Sequence, residues 1–147
     1  MVVRRERTVS AAPAEVWGVV SDPNRLPAWW PGVSRVEEAS REAWTTVLVS
    51  PTGKAVRADY SLVEAEEPER ILWRHEVEES PFERLLTEST TEIALAPDPG
   101  GGTVVRLRLE QRPRGWARFS PLQLRAAGSR QAEAALAGLA ELFGDEA

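Results

Sequence analysis

The sequence predicts a small α+β domain in which an antiparallel sheet wraps a long C-terminal helix. Three observations carry that expectation. Segments of alternating polarity follow one another from residue 33 to residue 112, with turn residues at nearly regular intervals. Two short helical signatures stand between the first strand and this series. A capped amphipathic stretch then closes the chain. At 147 residues the chain fits one domain spanning residues 1–147, because a chain of this size buries roughly 68–70% of its unfolded surface.

Residues 2–10 read as a strand, with Val3 and Val9 of one parity among charged neighbours. Pro13 presets φ for a first helical turn, and Val16, Trp17 and Val20 have the spacing of a buried helix face. Ser21-Asp22-Pro23 ends that helix, and Asp22 caps the next. This second helix is short and places Leu26, Trp29 and Trp30 near its end, before Pro31-Gly32 turns the chain. Strands follow at 33–39, 43–50, 54–65, 70–79, 83–96 and 103–112. Pro51-Thr52-Gly53, Glu66-Glu67-Pro68-Glu69, Ser80-Pro81 and the Gly-rich turn at 98–102 separate them. Short connections of this kind imply an antiparallel meander.

Period-two patterning assigns the faces. Ile71, Trp73, His75 and Val77 point inward, opposite Leu72, Arg74 and Glu76. Val105, Leu107 and Leu109 oppose Arg106, Arg108 and Glu110. On 83–96 the inward set is Leu85, Thr87, Ser89, Thr91, Ile93 and Leu95, whose polar but uncharged middle suits a cavity wall better than a packed core. In the last segment, Ser120-Pro121-Leu122-Gln123 matches a capping box. Leu122, Ala132, Leu136, Leu139 and Phe143 recur at helical spacing, and Gly144 stops the helix. Small residues around Ala126, Ala127, Gly128 and Ala132 either leave room beneath the helix or let it pack closely on the sheet.

Composition narrows the function classes. The chain has no cysteine, one histidine and a net charge of −5. Disulfides and thiolate sites are excluded, and a zinc site is not expected from so few ligands. Gly100-Gly101-Gly102 does not open a helix, so no phosphate cradle or dinucleotide fingerprint is present, and no cofactor is expected. The acidic balance argues against nucleic acid as a partner. No segment approaches the roughly 20 apolar residues of a membrane span, and no signal peptide is evident, so a soluble cytoplasmic protein is expected. An edge strand could pair two copies into a homodimer.

Six tryptophans accompany three phenylalanines and one tyrosine. Each indole brings a large apolar surface and one N–H that needs a partner when buried, which fits a half-wet cavity wall, although such rings also simply fill cores. His75 points inward and has the pKa range for acid–base work, but a neutral histidine hydrogen-bonded to a neighbouring strand is the plainer role. Arg5 and Arg7 share the parity of Val3 and Val9. They either anchor a ligand carboxylate or pair with acidic side chains across the sheet.

The stretch Ala11-Ala12-Pro13-Ala14-Glu15-Val16-Trp17, running on through Ser21-Asp22-Pro23 to Leu26-Pro27-Ala28-Trp29-Trp30-Pro31-Gly32-Val33, resembles the START-like (SRPBCC) superfamily. Within it the chain resembles the bacterial polyketide cyclase/dehydrase-like group. The passage Val63-Glu64-Ala65-Glu66-Glu67-Pro68-Glu69-Arg70-Ile71-Leu72-Trp73 and the turn at 100–102 followed by Thr103-Val104-Val105-Arg106-Leu107 extend the resemblance over most of the chain. It implies a helix-grip fold: a curved seven-stranded antiparallel sheet gripping the C-terminal helix, with a cavity for lipids, polyketides or other apolar molecules between them.

The expected function is therefore binding of an apolar small molecule, as carrier or sensor. Trp29, Trp30, Trp44, Tyr60, Trp73, His75, Thr87, Ser89, Thr91, Leu124 and Gly128 are the candidate ligand-binding residues. The alternative is a cyclase- or dehydratase-like enzyme using His75 with Tyr60 or the hydroxyls of residues 87–91. A third is a protein-interaction module using an exposed apolar groove.

Overall fold

The computed structural model describes residues 1–50, 52–77, 86–114 and 121–144. Seven strands form one open antiparallel sheet: β1 (Val2–Val9), β2 (Val33–Glu37), β3 (Ala43–Val49), β4 (Ala55–Glu66), β5 (Arg70–His75), β6 (Leu86–Pro97) and β7 (Thr103–Pro113). Their spatial order is β1-β7-β6-β5-β4-β3-β2, so every strand from β2 to β7 lies beside its sequence neighbour. Only β1 is placed non-locally, at the edge beside β7. Helices α1 (Pro13–Val20) and α2 (Leu26–Trp29) lie between β1 and β2, and the long α3 (Pro121–Phe143) ends the described chain. This is the helix-grip architecture.

The local signals act as their chemistry requires. Pro13 opens α1, and the Asp22 carboxylate accepts from the Asn24 N–H at 3.0 Å, starting a 3₁₀ turn at Pro23–Arg25 that runs into α2. Gly144 ends α3 at φ +85, where its N–H donates to the Ala140 carbonyl at 2.6 Å. A Cβ is disfavoured at that φ. The expected N-cap Ser120, together with Pro51, Ser80, Pro81 and Leu85, lies outside the described residues.

The inward faces form the core. Val3, Val9, Ile93, Val105, Leu107 and Leu139 are each at most 1% exposed. Burying a side chain of this kind stabilises the fold by about 1.5–3 kcal/mol. The outer face is laced with charge instead. Arg70 there bridges Glu64 on β4 and Glu92 on β6, each at 2.8 Å.

Three expectations are corrected. The β6–β7 register shifts between Leu86 and Glu88, and such a bulge moves side chains to the opposite face. Leu86 is therefore buried, while Thr87 is exposed and its Oγ1 donates to the Arg112 carbonyl at 3.1 Å. Leu122 does not join the helix's buried stripe, being 80% exposed. Arg5 pairs with α3 and not across the sheet: its guanidinium reaches Ser129 Oγ at 3.0 Å and Glu133 Oε1 at 3.3 Å.

Two glycines set how closely α3 lies against its neighbours. A Cβ on Gly128 would stand 3.2 Å from Met1 Cε and 3.3 Å from a Val3 methyl. Close packing, not free space, thus explains the small residue at that point, while Ala126 and Ala127 face solvent. A Cβ on Gly138 would stand only 2.3 Å from the Trp29 carbonyl oxygen, so the end of α2 sits directly on the α3 backbone.

Candidate functional site

Strand register assembles the site. Trp44 on β3 faces Tyr60 on β4, and Tyr60 faces His75 on β5. Side chains opposed in this way project on one face within contact range. The rings form a ladder: Trp44 and Tyr60 are stacked at 6.0 Å between centroids and 8° between planes, and Tyr60 and His75 at 4.8 Å and 23°. Trp73 meets Trp44 edge-on at 5.9 Å, Trp30 meets Trp73 at 5.9 Å, and Trp29 meets Trp30 at 5.3 Å. Five of the candidate aromatic residues and His75 thus form one continuous cluster.

Two adjoining pockets lie between this cluster and α3. The larger, about 110 Å³, is walled by Trp30, Tyr60 and His75 on one side and by Ser89, Thr91 and Gln111 on the other. The smaller, about 40 Å³, sits among Trp30, Trp44, Tyr60, Trp73 and Thr46. Leu48 and Gln131 line both. A larger concavity of about 600 Å³ lies elsewhere, between Arg4, Glu6, Arg106 and Arg108 on the outer face. Arg106 and Glu6 pair there at 3.0 Å. It is an open strip of sheet surface bordered by charged side chains, whereas the inner pockets are more enclosed and join aromatic rings to converging uncharged polar groups.

The ionisable groups on the wall are neutral near pH 7. Burial pushes the Tyr60 phenol up to about 12, only partly offset by its hydrogen bond with Thr46. Burial also holds His75 below its ordinary 6.5, against the opposing pull of Asp59 and Glu76. The indole N–H groups of Trp29 and Trp44 are buried with no acceptor among the described residues. Such a donor costs about 1–3 kcal/mol.

Of the expected ligand-binding residues, Trp30, Trp44, Tyr60, Trp73, His75, Ser89 and Thr91 line these pockets. Trp29 supports Trp30 from behind. Gly128 lines an open groove outside, beside Pro31 and Gly32, and Leu124 is half-buried on α3 without lining either inner pocket. Gln111 and Gln131 were not expected. Gln111 continues the inward series Val105, Leu107, Leu109 and pairs in register with Ser89, so period two already pointed to it. Gln131 lies at helical spacing between Gly128 and the buried Ala135, a polar residue on a stripe of small ones. Among the described residues no group of three His, Asp or Glu side chains could hold a metal ion, and no helix is long and apolar enough to cross a membrane.

Solved structures share this architecture at low identity. A START superfamily protein from Mycobacterium smegmatis superposes with a TM-score of 0.80 at 13% identity, covering 97% of this chain and 96% of that one. The protein XoxI from Bacillus cereus gives 0.77 at 16% identity, with 97% and 94% covered. The di-domain ARO/CYC StfQ of the steffimycin biosynthetic pathway gives 0.74 at 19% identity, over 97% of this chain and 50% of StfQ. Among curated proteins nothing matches. The sheet closed on α3 is a helix-grip fold, shared with these solved structures. More narrowly, residues 1–144 match the family described as polyketide cyclase/dehydrase and lipid transport, and the chain belongs to it.

Proposed function

We propose that the protein binds an apolar small molecule between the sheet and α3, as a carrier or sensor. The observation that carries this reading is the inner pocket itself, whose wall joins a ladder of aromatic rings to uncharged polar side chains. A core selected only for stability has no use for Ser89, Thr91 and Gln111 around a space of about 110 Å³. Buried polar groups cost free energy unless they are paired. The family's description, which includes lipid transport, agrees with the reading.

The test is a thermal-shift screen of the full chain against uncharged single-ring aromatics, lipids, flavonoids and aromatic polyketides. A ligand that binds only the folded state adds about 2.7 kcal/mol at 100 times its dissociation constant. A rise in melting temperature that saturates with concentration, and that weakens when Ser89 and Gln111 are both replaced by leucine, is the expected result. No stabilisation by any apolar compound would overturn it.

A second reading is favoured by one residue. His75 is 6% exposed, is held neutral, and lines the larger pocket, as a general base for a cyclase- or dehydratase-like reaction would. Tyr60 stacked on it keeps its proton and can donate to a developing oxyanion. Turnover of an enolisable aromatic polyketide that survives His75→Gln unchanged would dispose of this reading and leave the binding one standing.

A further inference from the structure

We propose that the inner pocket selects uncharged, planar molecules of about one aromatic ring that carry a hydrogen-bonding oxygen or nitrogen, and rejects carboxylates, phosphates and ammonium ions of the same size. The inference rests on the binding reading above and narrows it.

Size is the first argument. The pockets measure about 110 and 40 Å³ and share Trp30, Leu48, Tyr60 and Gln131. An apolar cavity of about 150 Å³ takes up benzene, so the two together suit a single ring. Shape is the second. Trp44 and Tyr60 lie within 8° of parallel, and His75 continues the stack at 23°. Tyr60 has both faces covered in this stack, so the wall meets an occupant with ring edges, and edge-to-face packing on such edges favours a planar aromatic occupant.

Charge is the third argument and the most specific. Neither pocket has an Arg, Lys, Asp or Glu side chain among its described lining residues. Its two titratable groups, Tyr60 and His75, are both neutral near pH 7. An ion moved into such a site loses its hydration and gains no counter-charge, a far larger penalty than for a neutral amide or ketone. The carboxylates of Asp59 and Glu76 act on His75, and they disfavour an anion further. Neutral polar atoms, by contrast, find partners in Ser89, Thr91, Gln111 and Gln131, which offer donors and acceptors on the pocket wall, while the ring of Trp44, 4% exposed, lines the smaller pocket.

Near-isosteric probes separate these terms. Benzamide and acetophenone are neutral, benzoate is an anion and benzylammonium a cation, all with one ring. The full chain labelled with ¹⁵N is titrated with each at neutral pH while the indole N–H resonances are followed, that of Trp44 being assigned by Trp44→Phe. The two neutral probes are expected to shift the Trp44 resonance and to bind at least about tenfold more tightly than either ion. Gln111→Arg, which brings a cation to the wall, is expected to move the preference toward benzoate. Benzoate or benzylammonium binding the native chain as tightly as benzamide would overturn the charge selection while leaving a binding pocket in place. Binding of larger neutral ligands but not of the single-ring ones would overturn the size argument alone. Failure of every apolar compound would instead sink the binding reading on which the inference rests.

Discussion

His75 and Trp44 carry unequal burdens in the same wall. The Trp44 indole keeps a buried donor without an acceptor among the described residues, while its ring is fully used in stacking on Tyr60 and in the edge contact with Trp73. His75 is buried in the form that burial prefers. Because its folded pKa lies below the ordinary 6.5, the unfolded chain takes up a proton that the folded protein resists. The stability contributed is therefore fully present above about pH 6.5 and is lost as the pH falls toward the lowered folded value. Melting temperatures of the native chain and His75→Gln, compared from about pH 8 to about pH 5, should show a steeper acid loss in the native chain. Parallel profiles would show that His75 does not resist protonation.

Among the elements, α2 and α3 meet in a close backbone approach beside the pocket wall. Gly138 faces the Trp29 carbonyl, and Trp30 follows directly as a wall of both pockets. In Gly138→Ala the new methyl meets backbone, which cannot yield without moving α2. A loss of about 1–3 kcal/mol is expected from such overpacking, in spite of alanine's helix propensity. Gly18 on α1 is the control. It is exposed, nothing lies within 4 Å of its would-be Cβ, and Gly18→Ala should gain about 0.5–1 kcal/mol. Chemical denaturation of both variants checks the pair, and equal effects would contradict the close approach.

At the scale of the whole molecule, α3 closes the sheet and also forms one side of the site, so stability and binding share its residues. Leu139 is 0% exposed, and Leu139→Ala should cost about 2–5 kcal/mol in a denaturant titration. A loss within a few tenths of a kcal/mol would mean that α3 is not packed as described. Gln131, two turns earlier on the same helix, lines both inner pockets and the outer groove beside Pro31 and Gly32. Its replacement should alter ligand affinity far more than stability, because its side chain is only half-buried.

By itself the sequence determined most of what depends on local chemistry and periodicity, Leu122 and Thr87 excepted. The caps at Asp22 and Gly144, the inward parity of Trp73 and His75, and the order of strands and helices all follow from neighbouring residues. Only the tertiary structure decided what depends on partners distant in the chain. The Trp44–Tyr60–His75 ladder exists because of inter-strand register, which no single strand contains. Arg5 found Ser129 and Glu133 on α3 because β1 lies at the sheet edge beside that helix. Thr87 turned outward through a bulge that depends on the pairing of β6 with β7, where Leu86 faces Pro113. The small residues of α3 were legible as a stripe, but whether they left space or closed it was decided by Met1, Val3 and Trp29. Their close approach uses up that space at Gly128 and Gly138, and the pocket survives only where Gln131 meets the aromatic wall.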